Sequence, residues 1–145
     1  DLSALLEEMA DTYRPDFEAG ERRLMTSISA GLQVRGDRRL LAQAISNLLE
    51  NALRHTPVGT TVRLAGTSIA DTIEVTIEDD GPGVSPADAQ RLFQRFARAE
   101  VSRTTEGHGL GLALVRAIAI RHGGEAVLSR SVDGFGVAIR FPHIR

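Results

Sequence analysis

Four polar side chains share one face of a segment that otherwise has the pattern of an apolar helix. Asn47, Glu50, Asn51 and Arg54 are spaced so that, at about 3.6 residues per turn, they lie on the same side. Amide oxygens are hard, neutral ligands for Mg²⁺, and a guanidinium one turn further on can hold a phosphate oxygen. This polar stripe indicates a ligand that carries both a metal ion and negative charge. A solvated helix face is the alternative.

A carboxylate lies in phase with the buried face of a predicted strand. Apolar residues at alternate positions of 73–77 share one face, and the period of two places Asp79 there as well. A carboxylate on that side is costly unless a partner satisfies it, and the exocyclic amine of a purine is such a partner. Gly81 and Gly83 let the chain turn sharply beside that ligand. The alternative is a polar turn in which Asp79 slips out of phase toward solvent.

A glycine-rich segment, GHGLGL at 107–112, runs directly into an apolar helical pattern. Glycines let backbone N–H groups approach phosphates, and a helix N-terminus adds favourable positive potential. The spacing fits neither a Walker loop nor a dinucleotide fingerprint, and a glycine hinge is the alternative reading.

Phe93 and Phe96 lie three residues apart on a further predicted helix and are expected to belong to the core. Their interest lies in their position, because they precede a polar segment whose Arg98 and Arg103 could fold over an anion.

The elements that must position these groups alternate between helical and strand patterns. Helices are predicted over 2–13 (ending near Pro15), 38–55 (capped by Asp37 and ended by Pro57), 87–96 and 110–122. Strands are predicted at 24–29, around Val62 and Leu64, over 73–79, and as a hairpin of 127–129 with 135–141. The segment 97–106 reads as a mobile loop. One sheet covered by three long helices makes a two-layer α/β sandwich.

Composition sets modest limits. The 145 residues suit a single domain, and 42% hydrophobic with 25% charged residues is typical of a soluble globular protein. A net charge of −2 gives no pull toward nucleic acid, and the lack of cysteine excludes disulfides and thiolate metal sites. There is no apolar run of membrane-spanning length and no signal peptide. Since the chain begins without Met, it is either processed or cut from a longer protein, and we expect the second.

In this order, the strings NLLENALRHTP, DDGPGV, LFQRF and GHGLGL resemble the N, G1, F and G2 boxes of one known domain. This is the ATP-binding catalytic domain of two-component sensor histidine kinases, and the resemblance covers nearly the whole chain. It implies the Bergerat α/β sandwich, with a mixed, mostly antiparallel sheet covered on one face by three helices. It also implies an enzyme that binds Mg·ATP and transfers the γ-phosphoryl group to a histidine.

The resemblance assigns the metal and phosphate roles to the polar stripe. Asn51 is the expected Mg²⁺ ligand, with Asn47 beside it near the metal and the phosphates. Glu50 is expected to polarise an attacking group or a water, and Arg54 to contact phosphate. Asn47, Glu50 and Arg54 are therefore the expected catalytic residues.

The remaining assignments concern the base, the phosphate loop and the lid. Asp79 is expected to read adenine and His55 to flank it, while 97–106 matches the ATP lid. The other expected nucleotide contacts are Gly81, Gly83, Phe96, Arg98, Arg103, Gly107, His108, Gly109, Leu110, Gly111 and Leu112.

None of the four histidines, His55, His108, His122 and His143, lies on an amphipathic helix beside an acid as a phosphoacceptor would. The resemblance therefore implies that a dimerisation and phosphoacceptor domain of the same parent protein precedes Asp1. It also implies a response regulator receiver domain as partner and a cytoplasmic location, with inner-membrane anchoring of the parent left open. We expect the fragment to be a monomer, its parent a homodimer, and neither to bind nucleic acid.

Other readings use the same fold. The ATPases of DNA gyrase, mismatch repair and chaperones carry a water-activating glutamate four residues before the metal Asn, where this chain has Asn47. An anti-sigma-type serine kinase is disfavoured by Phe93 and Phe96. A non-catalytic nucleotide-binding module is disfavoured because all the expected ligands are present.

Overall fold

Five strands form one sheet in the computed structural model, which describes residues 1–81, 108–129 and 134–144. Three helices are present within these ranges. The helices are α1 (Leu2–Ala19), α2 (Arg38–His55) and α3 (His108–Arg121). The strands are β1 (Arg23–Ile28), β2 (Thr61–Ile69), β3 (Thr72–Asp79), β4 (Glu125–Leu128) and β5 (Gly136–Pro142).

The strand order across the sheet is β1-β2-β3-β5-β4. β1 runs parallel to β2 because the chain crosses over through α2, and every other neighbouring pair is antiparallel. The sheet is thus mixed and mostly antiparallel, as predicted.

The two faces of the sheet differ in chemistry, as period-two patterning requires. On β3, Ile73, Val75 and Ile77 are buried on the side that the helices cover. On the opposite side Arg140 Nε donates to Glu74 Oε2 at 2.9 Å, and its Nη1 donates to Glu125 Oε2 at 3.0 Å. The core therefore lies between the sheet and the helices, and the predicted two-layer α/β sandwich is confirmed.

The predicted end of α1 near Pro15 is wrong, since the helix continues to Ala19 with Pro15 inside it. A proline lacks the N–H that would bond to Asp11 in the preceding turn, so continuing the helix has a cost. Phe17, one of the largest fully buried side chains, lies just beyond. The free energy gained by burying Phe17 outweighs the cost of a proline inside the helix, since tertiary packing commonly overrides helix propensity.

The limits of α2 agree with the prediction of 38–55. The Asp37 side chain caps the helix, because its Oδ1 accepts from the backbone N–H of Arg39 at 2.8 Å and of Leu40 at 3.4 Å. Leu48 and Leu49 are among the buried residues on the opposite side of the helix, which packs into the core.

The other elements differ from prediction mainly at their ends. α3 begins two residues before the predicted Leu110, and the predicted 24–29 strand is found as Arg23–Ile28. The predicted helix 87–96 and loop 97–106 lie outside the described residues. Across the described ranges, no helix is both long enough and apolar enough to cross a membrane.

Candidate functional site

The polar stripe of α2 faces away from the core, as its spacing predicts. Asn47 and Asn51 are half-buried, whereas Glu50 and Arg54 are exposed. Within the described part of the chain, neither side-chain amide of the two asparagines is engaged in a hydrogen bond. Among the described residues these amide oxygens therefore have no competing hydrogen-bond partner.

Glu50 has a partner that the sequence does not reveal. Tyr13 of α1 donates its hydroxyl to Glu50 Oε2 at 2.6 Å. Burial raises the pKa of Tyr13 to about 12, and the hydrogen bond to Glu50 adds to the rise. Tyr13 lies four residues after Met9 and so continues the apolar spacing of α1. The sequence therefore indicates that Tyr13 packs near α2, but it does not reveal that Glu50 is its hydrogen-bond partner. α1 therefore holds one edge of the stripe.

Arg22 fixes the other end of the same helix. Its Nε donates to the carbonyl oxygen of Thr56 at 2.9 Å and to Thr56 Oγ1 at 3.0 Å. Thr56 Oγ1 in turn donates to the Ala52 carbonyl at 2.6 Å. These contacts satisfy carbonyl groups that the end of a helix leaves unpaired. Arg54 and His55 lie in the last turn of this anchored helix, and both are exposed.

Asp79 stays in phase with the buried face of β3. It pairs with Val62 in the β2–β3 register, and Val62 is fully buried. Asp79 itself is half-buried, and its Oδ1 accepts from the backbone N–H of Gly81 at 2.9 Å. The neighbouring carboxylate of Asp80 has a partner within the protein, because its Oδ1 accepts from the backbone N–H of Thr61 at 2.9 Å. Only Asp79 is therefore placed to face a ligand on the helix side.

The end of β3 and the end of α2 meet at Gly81. A Cβ at Gly81 would lie 3.2 Å from Asp79 Oδ1, 3.6 Å from Pro57 Cδ and 3.7 Å from Thr60 Oγ1. The loop after α2 is itself fixed, because Thr60 is buried and its hydroxyl donates to the Pro57 carbonyl at 2.7 Å. The fold thus places Asp79 beside the chain that leaves the stripe helix.

The start of α3 is the last part of the candidate site that lies within the described residues. The main chain of His108, Gly109, Leu110 and Gly111 forms the first turn, which contains no acidic residue. Leu112 is buried in the core, so only its main chain can face a ligand. α3 packs against α2, and its N-terminal N–H groups supply positive potential. The predicted contacts Gly83, Phe96, Arg98, Arg103 and Gly107 lie outside the described residues.

The donor chemistry fits magnesium bound together with a polyanion. Of the residues described, no three His, Cys, Asp or Glu side chains are grouped so that they could hold a metal ion alone. Mg²⁺ does not need such a group, since it usually takes one or two protein ligands and completes its shell with water and phosphate. Asn51 and Asn47 can provide those ligands, and Arg54 lies one turn away.

His122 has a structural position instead. Its Nε2 accepts from the backbone N–H of Asp37 at 3.1 Å, and its Nδ1 lies 2.8 Å from the Ile118 carbonyl oxygen. The ring also meets Phe141 edge-on, with centroids 6.2 Å apart. Both ring nitrogens are therefore occupied, Nδ1 by the last turn of α3 and Nε2 by the residue that caps the start of α2.

Residues 36–145 match the family model described as Histidine kinase-, DNA gyrase B-, and HSP90-like ATPase. The chain belongs to this family. The match covers the polar stripe, Asp79 and the start of α3, and it confirms the family resemblance. No comparison tests the individual site residues, whose roles stay predictions.

Curated relatives and solved structures agree with that membership. The chain is 38% identical over 141 residues to the signal transduction histidine-protein kinase BaeS of Escherichia coli K12. It is 40% identical over 112 residues to the sensor histidine kinase CusS of Escherichia coli O6:H1. These matches cover 96% and 76% of this chain but only 30% and 23% of the two relatives.

Two mycobacterial structures have the same fold along their whole length. The sensor histidine kinase MprB superposes with a TM-score of 0.81 at 28% identity, covering 99% of this chain and 96% of that one. The ATP-binding domain of PrrB from Mycobacterium tuberculosis gives 0.79 at 28% identity, covering 100% and 96%. The described fold is therefore that of histidine kinase ATP-binding domains.

Proposed function

We propose that this chain is the catalytic domain of a sensor histidine kinase. It binds Mg·ATP between α2, the end of β3 and the start of α3. It then presents the γ-phosphoryl group to a histidine on a separate phosphoacceptor domain of its parent protein. A response regulator receiver domain is the later acceptor, and the reaction takes place in the cytoplasm.

The observation that carries this proposal is the placement of Asp79. A carboxylate that ends a core strand on the helix side needs a polar partner, and an exocyclic amine provides one. The Gly81 amide holds one of its oxygens, and the loop that follows the stripe helix lies beside it at Pro57 and Thr60. The base and the triphosphate would thus be bound by adjoining elements.

Phosphoryl transfer requires little covalent chemistry from the protein, so positioning and charge neutralisation dominate. When bound, Mg²⁺ would neutralise the negative charge of the phosphates. Asn51 and Asn47 orient the metal, and Arg54 pairs with a phosphate oxygen. The first N–H groups of α3 approach the phosphates because its glycines leave the main chain uncovered.

The phosphate acceptor belongs to another domain. The ring of His122 is occupied on both nitrogens, and His55 and His108 lie within the proposed nucleotide site. The homologous relatives that are named as histidine kinases are three to four times longer than the segment matched here. The acceptor histidine is accordingly proposed to lie on a helix elsewhere in the parent protein.

Calorimetric titration with a non-hydrolysable ATP analogue tests the nucleotide site. Asp79→Asn should weaken binding by about tenfold to a hundredfold, since a hydrogen bond to a charged group contributes about 1.5–3 kcal/mol. Asp80→Asn is the matched control, because an amide oxygen can still accept from Thr61. Equal affinity of the wild type and Asp79→Asn would refute this assignment.

The same titration with and without magnesium tests the metal site. Asn51→Ala should weaken Mg·ATP binding far more than binding of the metal-free nucleotide, because it removes a metal ligand without adding a charge near the phosphates. An unchanged dependence on magnesium would show that Asn51 does not ligate the ion.

Phosphotransfer itself requires the parent protein. Incubation of the parent with labelled Mg·ATP should yield an acid-labile phosphohistidine outside residues 1–145. Steady release of inorganic phosphate by the isolated chain would favour an ATPase instead. Binding without any labelled histidine in the parent would favour a non-catalytic nucleotide module.

A further inference from the structure

The turn that leads into β5 lies directly against the carboxylate that ends β3. The ladder between the two strands runs to the pair Glu78–Gly136, and Gly134 and Phe135 continue beyond it. The backbone N–H of Asp79 donates to the Phe135 carbonyl oxygen at 3.0 Å. Residues at the far end of the sequence are therefore in contact with the side chain proposed to read the base.

The same turn also contacts the carboxylate itself. The backbone N–H of Phe135 donates to Asp79 Oδ1 at 3.3 Å, on the oxygen that already accepts from Gly81 at 2.9 Å. Within the described ranges, Asp79 Oδ2 accepts no hydrogen bond. Two amides on one oxygen limit the rotation of the carboxylate and leave its other oxygen able to accept from a further donor.

Gly134 is in contact with the same group and leaves no room for a side chain. A Cβ at this position would lie 2.3 Å from the Asp79 carbonyl oxygen and 2.5 Å from Asp79 Oδ1. Real Cβ atoms essentially never come within 3.0 Å of such atoms. Any larger residue would therefore have to displace the turn, the carboxylate, or both.

We propose that Gly134 and Phe135 are positioning residues that set the rotamer of Asp79 and thereby the preference of the site for a 6-amino purine. This inference rests on the proposed function, in which Asp79 accepts from the exocyclic amine of adenine. The Phe135 amide fixes Oδ1, and the missing side chain at Gly134 allows that contact. Oδ2 is then directed at the base.

Comparing two nucleotides isolates this role. ADP and purine riboside 5′-diphosphate differ by the 6-amino group, so the ratio of their dissociation constants measures how well that amine is recognised. The wild-type chain should favour ADP by about tenfold to a hundredfold, the range expected for a hydrogen bond to a charged acceptor. Gly134→Ala should reduce this preference to about threefold or less, with little change in affinity for the analogue.

Gly124→Ala is a matched control. A Cβ at Gly124 would lie 1.8 Å from the Arg140 carbonyl oxygen, so this substitution forces a comparable clash against β5 at its opposite end. It should lower stability while leaving the preference for ADP at its wild-type value. A general loss of packing would reduce affinity for both nucleotides alike, whereas misplacement of Asp79 would reduce affinity for ADP alone.

Asp79→Asn distinguishes a failure of the positioning role from a failure of the proposed base contact. If Asp79→Asn keeps the wild-type preference, Asp79 does not read the amine and the proposed base contact is wrong. If Asp79→Asn loses the preference while Gly134→Ala keeps it, only the positioning role fails. Loss of preference in both variants, but not in Gly124→Ala, supports both.

Nuclear magnetic resonance of the wild-type chain provides a measurement that does not depend on Gly134→Ala folding. The amide resonances of Phe135 and Gly81 should both shift when Asp79→Asn replaces the charged acceptor of these amides by a neutral one. The Phe135 amide should also shift more on binding ADP than on binding purine riboside 5′-diphosphate. An unchanged Phe135 resonance in Asp79→Asn, or equal shifts with the two nucleotides, would overturn the proposal.

Discussion

At the scale of single residues, the roles predicted from spacing depend on contacts from other elements. Glu50 was selected for its place on the stripe, yet its carboxylate accepts from Tyr13 of α1. Asp79 was selected for its phase in a strand, yet its orientation depends on amides of Gly81 and Phe135. The carboxylate of Glu50 is therefore held by a residue of another helix. The carboxylate of Asp79 is held by the Gly81 amide of its own turn and by the Phe135 amide, which is distant in sequence.

The hydroxyl of Tyr13 should titrate at unusually high pH. It is the chain's only tyrosine and there is no tryptophan, so the absorbance of its phenolate follows one group. The midpoint should be near pH 12 in the folded chain, against 10.0 for an ordinary tyrosine. Because the folded state retains its proton longer than the unfolded state, this contribution to stability is complete below pH 10 and is lost toward pH 12.

Two variants check the origin of that shift. Tyr13→Phe should remove this part of the alkaline loss of stability, measured by denaturant unfolding across the same pH range. Glu50→Gln keeps an acceptor but removes the charge, so the pKa of Tyr13 should fall only part of the way to its ordinary value. An ordinary midpoint in the folded wild type would mean that the hydroxyl is solvated and not bound to Glu50.

At the scale of elements, α2 is the helix on which the candidate site depends, and both of its ends are fixed. Asp37 caps its start, and its backbone N–H donates to His122, which directly follows α3. Arg22 satisfies carbonyl oxygens at its end. Fixed ends limit fraying, so the stripe keeps its orientation relative to Asp79.

Pro15 tests how far packing overrides helix propensity in α1. Pro15→Ala should raise the free energy of unfolding by about 1–3 kcal/mol, because it restores an N–H donor within the helix. Urea unfolding measures the change, and Pro57→Ala, which lies beyond the end of α2, should give no comparable gain. A loss of stability would show instead that Pro15 is needed to bury Phe17.

At the scale of the whole molecule, the sheet separates two environments. Its outer face is polar, with Arg140 bridging Glu74 and Glu125, and these hydrogen bonds raise the pKa of Arg140. Its inner face packs on three helices, and the proposed site lies where the loop after α2 meets the end of β3. A ligand at that place would join α2, α3 and the sheet.

Ligand binding should accordingly stabilise the entire fold. ADP at about 100 times its dissociation constant should raise the free energy of unfolding by about 2.7 kcal/mol, provided the unfolded chain does not bind it. Thermal or denaturant unfolding measures the gain. At the same concentration Asp79→Asn should show much less stabilisation, although its stability without nucleotide stays near that of the wild type. Equal stabilisation of both proteins would place the nucleotide elsewhere.

Much of this architecture could be predicted because local rules and tertiary packing agree. The limits of α2, its Asp37 cap and the alternation of β3 follow directly from residue spacing, and the structure confirms them. The end of α1 could not be predicted, because the local signal at Pro15 is weaker than the burial of Phe17. The partners Tyr13, Arg22 and Phe135 were also missed, since nothing in their local sequence marks contacts across the fold.

The sequence alone determined the fold class, the family and the faces on which the polar groups lie, because periodicity sets which side of a helix or strand a residue occupies. The tertiary structure alone decided which groups meet. Asp79 lies 56 positions before Phe135 in the chain, and Tyr13 lies 37 before Glu50. Contacts at such separations arise only when the sheet and the helices pack together, and their geometry depends on the register of that packing.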